Sequence, residues 1–211
     1  MTNKESFSEY YKDKFVTGTY DEQRLKSKYR RDKREIEMKT FLELLDIDED
    51  ESILECGCSS GFMTQFLGDN VVAVDTSSDM IDLAKQKNMK ATFFCMDMFE
   101  IEKLNKKFDK IVSKRVMTHL LPDELERFFK AVHKCLKDDG VFVFDVEDKS
   151  LLRDFVRFFY VKIFKTTGFK TYQHNLDSIT KILEKCGFKV CAVRYFNHRV
   201  GRQLVLKTKK R

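Results

Sequence analysis

Three carboxylates close three successive apolar runs of this 211-residue chain: Glu55 in "SILEC", Asp75 in "VVAVD" and Asp97 in "ATFFCMD". Directly after the first come Gly57 and Gly61, in "ECGCSSGF", within a chain that has only 8 glycines. Glycines at the end of a strand let the backbone come close to a ligand, and a helix starting near Phe62 would add free N–H groups. Asp75 lies twenty residues beyond Glu55, where a carboxylate can accept both hydroxyls of a ribose. Asp97 is suited to an amino donor such as that of adenine. One acid at a strand end is explained by capping or turn chemistry. Three in register with a glycine turn point to a nucleoside-bearing cofactor. A pyrophosphate is disfavoured, because "GCSSG" lacks the G-x-G-x-x-G pattern and Glu55 stands at the loop mouth. The same carboxylate suits a cationic amino acid moiety.

The elements that must position these groups alternate. Strands are expected at "SILEC", 71–75, 91–97, 108–113 and 140–146, each a β-branched and aromatic run of the kind buried on both faces. Met38, Phe41, Leu42 and Leu45 mark an amphipathic helix over 35–45. A second covers 122–136, with Pro122 in its first turn and Leu125, Phe128, Phe129, Val132 and Leu136 on one face. Residues 151–169 are apolar and basic without a clean period and read as a helix followed by an irregular segment. Ile179, Ile182, Leu183 and Cys186 mark a further helix, ended by Gly187. "FKVCAVRYF" and "GRQLVLKT" close the chain as a hairpin around "NHRV". The fold expected is a Rossmann-like, doubly wound α/β sheet of seven strands, mostly parallel, ending in an antiparallel pair with helices on both faces.

Composition limits the classes further. At 42% hydrophobic and 35% charged residues the chain is globular rather than disordered. No apolar run approaches the roughly 20 residues needed to cross a bilayer. "MTNKESFSEYYKDK" lacks the apolar core of a secretory signal, so a cytoplasmic location is expected. The six cysteines form no CxxC pair, and Cys56 and Cys58 have no second pair at zinc spacing, so no metal site is expected. Net charge is +6, but residues 160–211 carry +11 and the rest −5. Such asymmetry can mark a polyanionic partner; the simpler reading is the solvated surface of a Lys-rich protein.

"ILECGCSSGF", "VVAVDTSSDMIDLAK", "CMDMFE", "FDKIVSKRVMTHL" and "LKDDGVFVFDV", in this order, resemble the class I S-adenosylmethionine-dependent methyltransferases, of the small-molecule type. The likeness covers residues 30–146 and extends to "LEKCGFKV". It implies S-adenosyl-L-methionine as cofactor, with Glu55, Gly57, Cys58 and Gly61 around its methionine part. Asp75 would hold the ribose, with Thr76 and Met80 beside the adenine. Asp97 and Met98 would read the adenine edge and face, and Ser113 would flank the methionine moiety. Residues 1–34 would form an N-terminal lid or helical segment, including Tyr20 and Arg24, over a methyltransferase domain of residues 35–211. Two positions depart from the family: Ser59 replaces its middle glycine, which would hold the loop further from the cofactor, and "KDDG" replaces its Pro-Gly-Gly turn. His119 is the candidate general base, needed only for an acceptor that arrives protonated. The Asn/Asp-Pro-Pro-aromatic motif of exocyclic-amine methylation is absent from "SKRVM". A small-molecule acceptor methylated on O or N is therefore expected; the alternatives are an RNA (tRNA) acceptor held by the basic C-terminal third, or a non-catalytic cofactor-binding module.

Overall fold

The computed structural model describes residues 26–87, 90–148, 172–198 and 201–211. Tyr20 and Arg24, the stretch 151–169 and the tip of the closing hairpin lie outside these residues. Helix α1 (Lys28–Leu45) starts at Ser27, whose hydroxyl accepts the amide of Arg30, and ends at Asp46 in the left-handed conformation. Then follow β1 (Ile53–Cys56), β2 (Val71–Asp75), α2 (Ser78–Lys87), β3 (Thr92–Cys95) and β4 (Phe108–Ser113). Helix α3 (Pro122–Cys135) runs directly into β5 (Leu136–Glu147), and α4 (Leu176–Lys185), β6 (Phe188–His198) and β7 (Gly201–Lys210) complete the chain.

The seven strands form one sheet in the order β3-β2-β1-β4-β5-β7-β6. β7 is antiparallel to both of its neighbours, and the other six strands run in one direction. Alternation along β5 sets its two faces. Phe142, Phe144 and Val146 join Phe128, Phe129 and Leu183 on one side, whereas Val141 and Val143 meet Met38, Phe41 and Leu45 of α1 on the other. The aromatic side is closely interlocked: Phe142 and Phe144 stack at 4.7 Å, and Phe129 lies 5.1 Å from Phe144. Every residue expected on the apolar face of α3 is fully buried.

Three expectations need correction. The run 91–97 is shorter as a strand and is not buried on both faces, because β3 is the sheet edge and leaves Phe94 40% exposed. β5 begins at Leu136, not 140, and takes "KDDG" into the strand through a register shift opposite Phe108 and Lys110. Lys137 there ion-pairs with both oxygens of Asp109 at 2.8 Å, tying the shifted segment to β4. The helix expected from Phe62 is only a turn and a three-residue 3₁₀ segment, Thr64–Phe66. Nine residues separate Gly61 from β2, with Gly68 and Asn70 among them, too few to complete an α-helix and return to the sheet.

Candidate functional site

A cavity of about 430 Å³ opens beyond the carboxyl ends of the parallel strands. That is where open α/β sheets bind ligands, because the loops diverge there at the change in strand order. β1 contributes Glu55 and the loop after it, β2 contributes Asp75, and the segment after β3 contributes Asp97 and Met98.

The loop after β1 is built around one carboxylate. Gly57 N–H and Cys58 N–H both reach the carbonyl of Val74, at 2.8 and 3.1 Å. The amide of Ser59 donates to Asp75 Oδ2 at 2.8 Å, and that of Ser77 donates to Oδ1 at 3.0 Å. Three residues of the loop have positive φ: Gly57 (+78°), Ser59 (+50°) and Gly61 (+71°). For a serine this conformation costs about 1 kcal/mol, offset by the bond to Asp75. Ser59, which departs from the family, thus takes the left-handed backbone that a glycine would supply. The two glycines have separate purposes. A Cβ at Gly57 would meet Val116 Cγ2 at 2.4 Å, across the cavity rim. A Cβ at Gly61 would lie 2.9 Å from the backbone Cα of Ala84 on α2, so Gly61 seats the loop on that helix.

Ser59 and Ser77 thus each donate to a different oxygen of Asp75, and the amide of Thr76 also lies against this carboxylate. Burial raises the Asp75 carboxyl above its usual range, although the amides of Ser77, Ser59 and Thr76 pull it back. Glu55 is more strongly perturbed. Burial pushes it up to about 8, against the hydrogen bond from Thr64 Oγ1 at 2.6 Å and with the charge of Asp75 adding to the rise. At neutral pH it is mostly protonated, so it does not repel a pyrophosphate by charge, as the sequence suggested. No α-helix begins after the glycine loop, so the N-terminal N–H groups with which such a helix binds a pyrophosphate are not offered there.

Asp97 does not end a strand. It caps the 3₁₀ segment Met98–Leu104, accepting the amide of Phe99 at 3.1 Å, and it still faces the cavity. Cys58, Thr76, Met80 and His119 also line it, whereas Gly61 and Ser113 do not. Ser113 is fully buried, and its hydroxyl donates to the carbonyl of Cys56 at 2.8 Å, joining the ends of β4 and β1. His119 ends a short 3₁₀ segment after β4, next to Thr118, whose carbonyl accepts the amide of Tyr172 at 2.7 Å.

The other end of the cavity is made of residues that sequence reasoning missed. Lys114 and Arg115 follow β4 and face Glu37 of α1, which is 1% exposed. Arg115 Nη2 lies 2.6 Å from Glu37 Oε1, Lys114 Nζ lies 3.1 Å from Oε2, and Lys33 Nζ lies 3.5 Å from Oε1. Burial alone would raise the Glu37 carboxyl, but these three cations bring it down to about 2. Arg115 sits at φ +61° and donates its amide to Asp145 Oδ1 at 2.5 Å; the other oxygen of Asp145 accepts Gln203 Nε2. Arg34 lies over the ring of Phe62, 3.3 Å from its centroid. The signal was present: "KR" follows a strand, and Asp145 and Glu147 alternate at the end of β5, so both point to the α1 face. It was outweighed by the better-spaced acids of β1 to β3.

A mostly parallel seven-stranded sheet with one reversed strand, and an acid-lined cavity beyond its carboxyl ends, define the Rossmann-like methyltransferase class. Residues 53–140 match the family described as "Methyltransferase domain". The chain carries a class I S-adenosylmethionine-dependent methyltransferase domain. An uncharacterized protein of Methanocaldococcus jannaschii is 35% identical over 144 residues, which are 68% of this chain and 52% of that protein. A malonyl-[acyl-carrier protein] O-methyltransferase of Acetivibrio thermocellus is 31% identical over 114 residues, 50% of this chain and 39% of that enzyme. The chain thus spans about half or less of the length of these curated relatives. Among solved structures, the magnesium protoporphyrin IX methyltransferase of Synechocystis with bound SAH superposes with a TM-score of 0.77 at 20% identity, over 99% of this chain and 100% of that one. The N-methyltransferase NodS of Bradyrhizobium japonicum, in complex with S-adenosyl-L-homocysteine, superposes with a TM-score of 0.69 at 15% identity, over 100% and 99%. At these identities the likeness is one of fold.

Proposed function

We propose that the chain transfers a methyl group from S-adenosyl-L-methionine to an oxygen or nitrogen of a small-molecule acceptor. The observation that carries this reading is Asp75, held in place by loop amides beside Gly57, in a cavity that also holds Glu55 and Asp97. The donor set fits the cofactor part by part. Asp75 would accept the ribose hydroxyls, Asp97 and Met98 would take the adenine with Thr76 and Met80, and Glu55, Gly57 and Cys58 would surround the methionine end. When bound, the cofactor supplies a methyl group on a sulfonium, whose departure as a neutral thioether needs no proton. This chain's residues must then place the acceptor in line and exclude water, which can supply most of the acceleration. His119 is the base available at the cavity to an acceptor that arrives protonated. Residues 1–34 would serve as the lid segment, preceding the methyltransferase domain of residues 35–211.

Part of the basic C-terminal third is already engaged within the chain and so is less available to RNA. Lys185, Arg202, Lys210 and Arg211 are each ion-paired with a carboxylate of this chain, on Glu126, Asp148, Asp138 and Glu184. Thermal unfolding with and without ligand tests the cofactor. S-adenosylhomocysteine is expected to raise the melting temperature and NAD to leave it unchanged, and Asp75→Ala is expected to lose the ligand-dependent rise. A wild-type protein indifferent to every adenosyl ligand would refute the reading.

A further inference from the structure

The charges that line the cavity are sorted by position. β1 to β3 and the segments after them contribute only carboxylates, Glu55, Asp75 and Asp97, whereas the three cations of the lining, Arg34, Lys114 and Arg115, come from α1 and the segment after β4; Glu124 of α3 and Asp145 and Glu147 of β5 line the cavity as well. One fully buried carboxylate, Glu37, faces Lys33, Lys114 and Arg115 together. Glu37 therefore neutralises only one of three cations. Asp145 and Glu147 are the other carboxylates at this end, and both oxygens of Asp145 are engaged, by the amide of Arg115 and by Gln203. Among the described residues, the single carboxylate of Glu37 is thus outnumbered by the three cations that face it.

The two cations next to Glu37 are also not used up by it. Arg115 presents a guanidinium with five N–H donors, of which the bond to Glu37 uses one, and its side chain is 37% exposed. Lys114 has three donors and a single ion pair. Burying such groups is costly unless a counter-charge arrives. The planar fork of an arginine matches a carboxylate.

We propose that the methyl acceptor is a small molecule carrying a carboxylate, which is seated on Lys114 and Arg115, with Glu37 positioning both cations from beneath. This rests on the methyl-transfer reading above and extends it to the acceptor. The carboxylate binds and orients the acceptor from the cationic end of the cavity, so Lys114 and Arg115 determine specificity through contact with substrate, whereas Glu37 is a positioning residue.

The test uses ultrafiltered cell extract, separated on an anion exchanger into retained and unretained small molecules, and methyl-labelled S-adenosylmethionine with the full chain. Label is expected in products of the retained fraction only. Phosphatase treatment of that fraction should leave its acceptor activity intact, and amidation of its carboxylates should abolish it. Arg115→Gln and Lys114→Gln should each raise the acceptor concentration for half-maximal rate about tenfold, while S-adenosylhomocysteine affinity, which also reports folding, stays within about twofold. Arg115→Lys should recover part of the loss. Activity in the unretained fraction, activity sensitive to phosphatase, or both Gln variants behaving as wild type would overturn the proposal. S-adenosylhomocysteine binding without transfer to either fraction would defeat the methyl-transfer reading itself, and this inference with it.

Discussion

At the scale of single residues, Glu55 and Gly61 give the sharpest expectations. Glu55 in the free cavity is protonated below about pH 8. An ammonium group beside it, such as that of S-adenosylhomocysteine, favours the carboxylate, so binding expels a proton and affinity rises with pH until about 8, then levels off. Calorimetry in buffers of different ionisation heat should show this proton release, and Glu55→Gln should abolish it; an unchanged slope in the variant would exclude Glu55 as its source. In the free protein the sign is opposite. Because the folded value lies above the unfolded one, the stability Glu55 contributes is full below its usual 4.5 and is lost as pH rises through about 8. Gly61→Ala forces a Cβ against backbone at positive φ, so the loop or α2 must move. A loss of about 2 kcal/mol is expected, roughly 4–8 °C in melting temperature. Gly57 and Gly61 were legible as a turn at the end of β1, but the contacts each relieves were not: Val116 and Ala84 lie far along the chain, and spacing alone does not reveal them.

At the scale of elements, α1 and the segment after β4 are joined by Glu37. Its folded value of about 2 lies below the usual 4.5, so the stability it contributes is present above pH 4.5 and is lost as pH falls toward 2. Glu37→Gln should lower stability at neutral pH by about 3 kcal/mol, since it leaves Lys114 and Arg115 without their counter-charge. It should also flatten the acid limb of a urea-midpoint profile, and a limb as steep as wild type would mean that another carboxylate carries it. Helix α3 holds the opposite face. Phe129 contacts both Phe142 and Phe144, and Phe129→Ala should cost about 3–5 kcal/mol in chemical denaturation. That face was readable from its helical period, because burial on one side is what the period encodes. The short segment after the glycine loop was not, because an apolar stretch that contains Met63, Phe66 and Leu67 resembles a helix until its length is set against the distance to β2. The Glu37 cluster was equally hidden, since it unites residues 78 apart in sequence.

At the scale of the whole molecule, the mostly parallel sheet and its closing antiparallel pair were legible because each run is bounded by turn residues and parallel strands need helical crossovers, whereas the strand order was not. The edge position of β3 was not, because its Phe93 and Phe94 have the composition of a central strand. The cavity divides into two chemically distinct halves: an acidic half, foreseen from Glu55, Asp75 and Asp97, and a cationic half that only the packing of α1 against β4 and β5 brings together. The first half is where the cofactor would lie and the second where an acceptor would be chosen. The most direct test of this account supplies methyl-labelled S-adenosylmethionine to the protein with whole cell extract and follows the label into metabolites, RNA and protein. The account predicts label in the small-molecule fraction, lost with Asp75→Ala. Label confined to RNA or protein, or no transfer by a protein that binds S-adenosylhomocysteine, would contradict it.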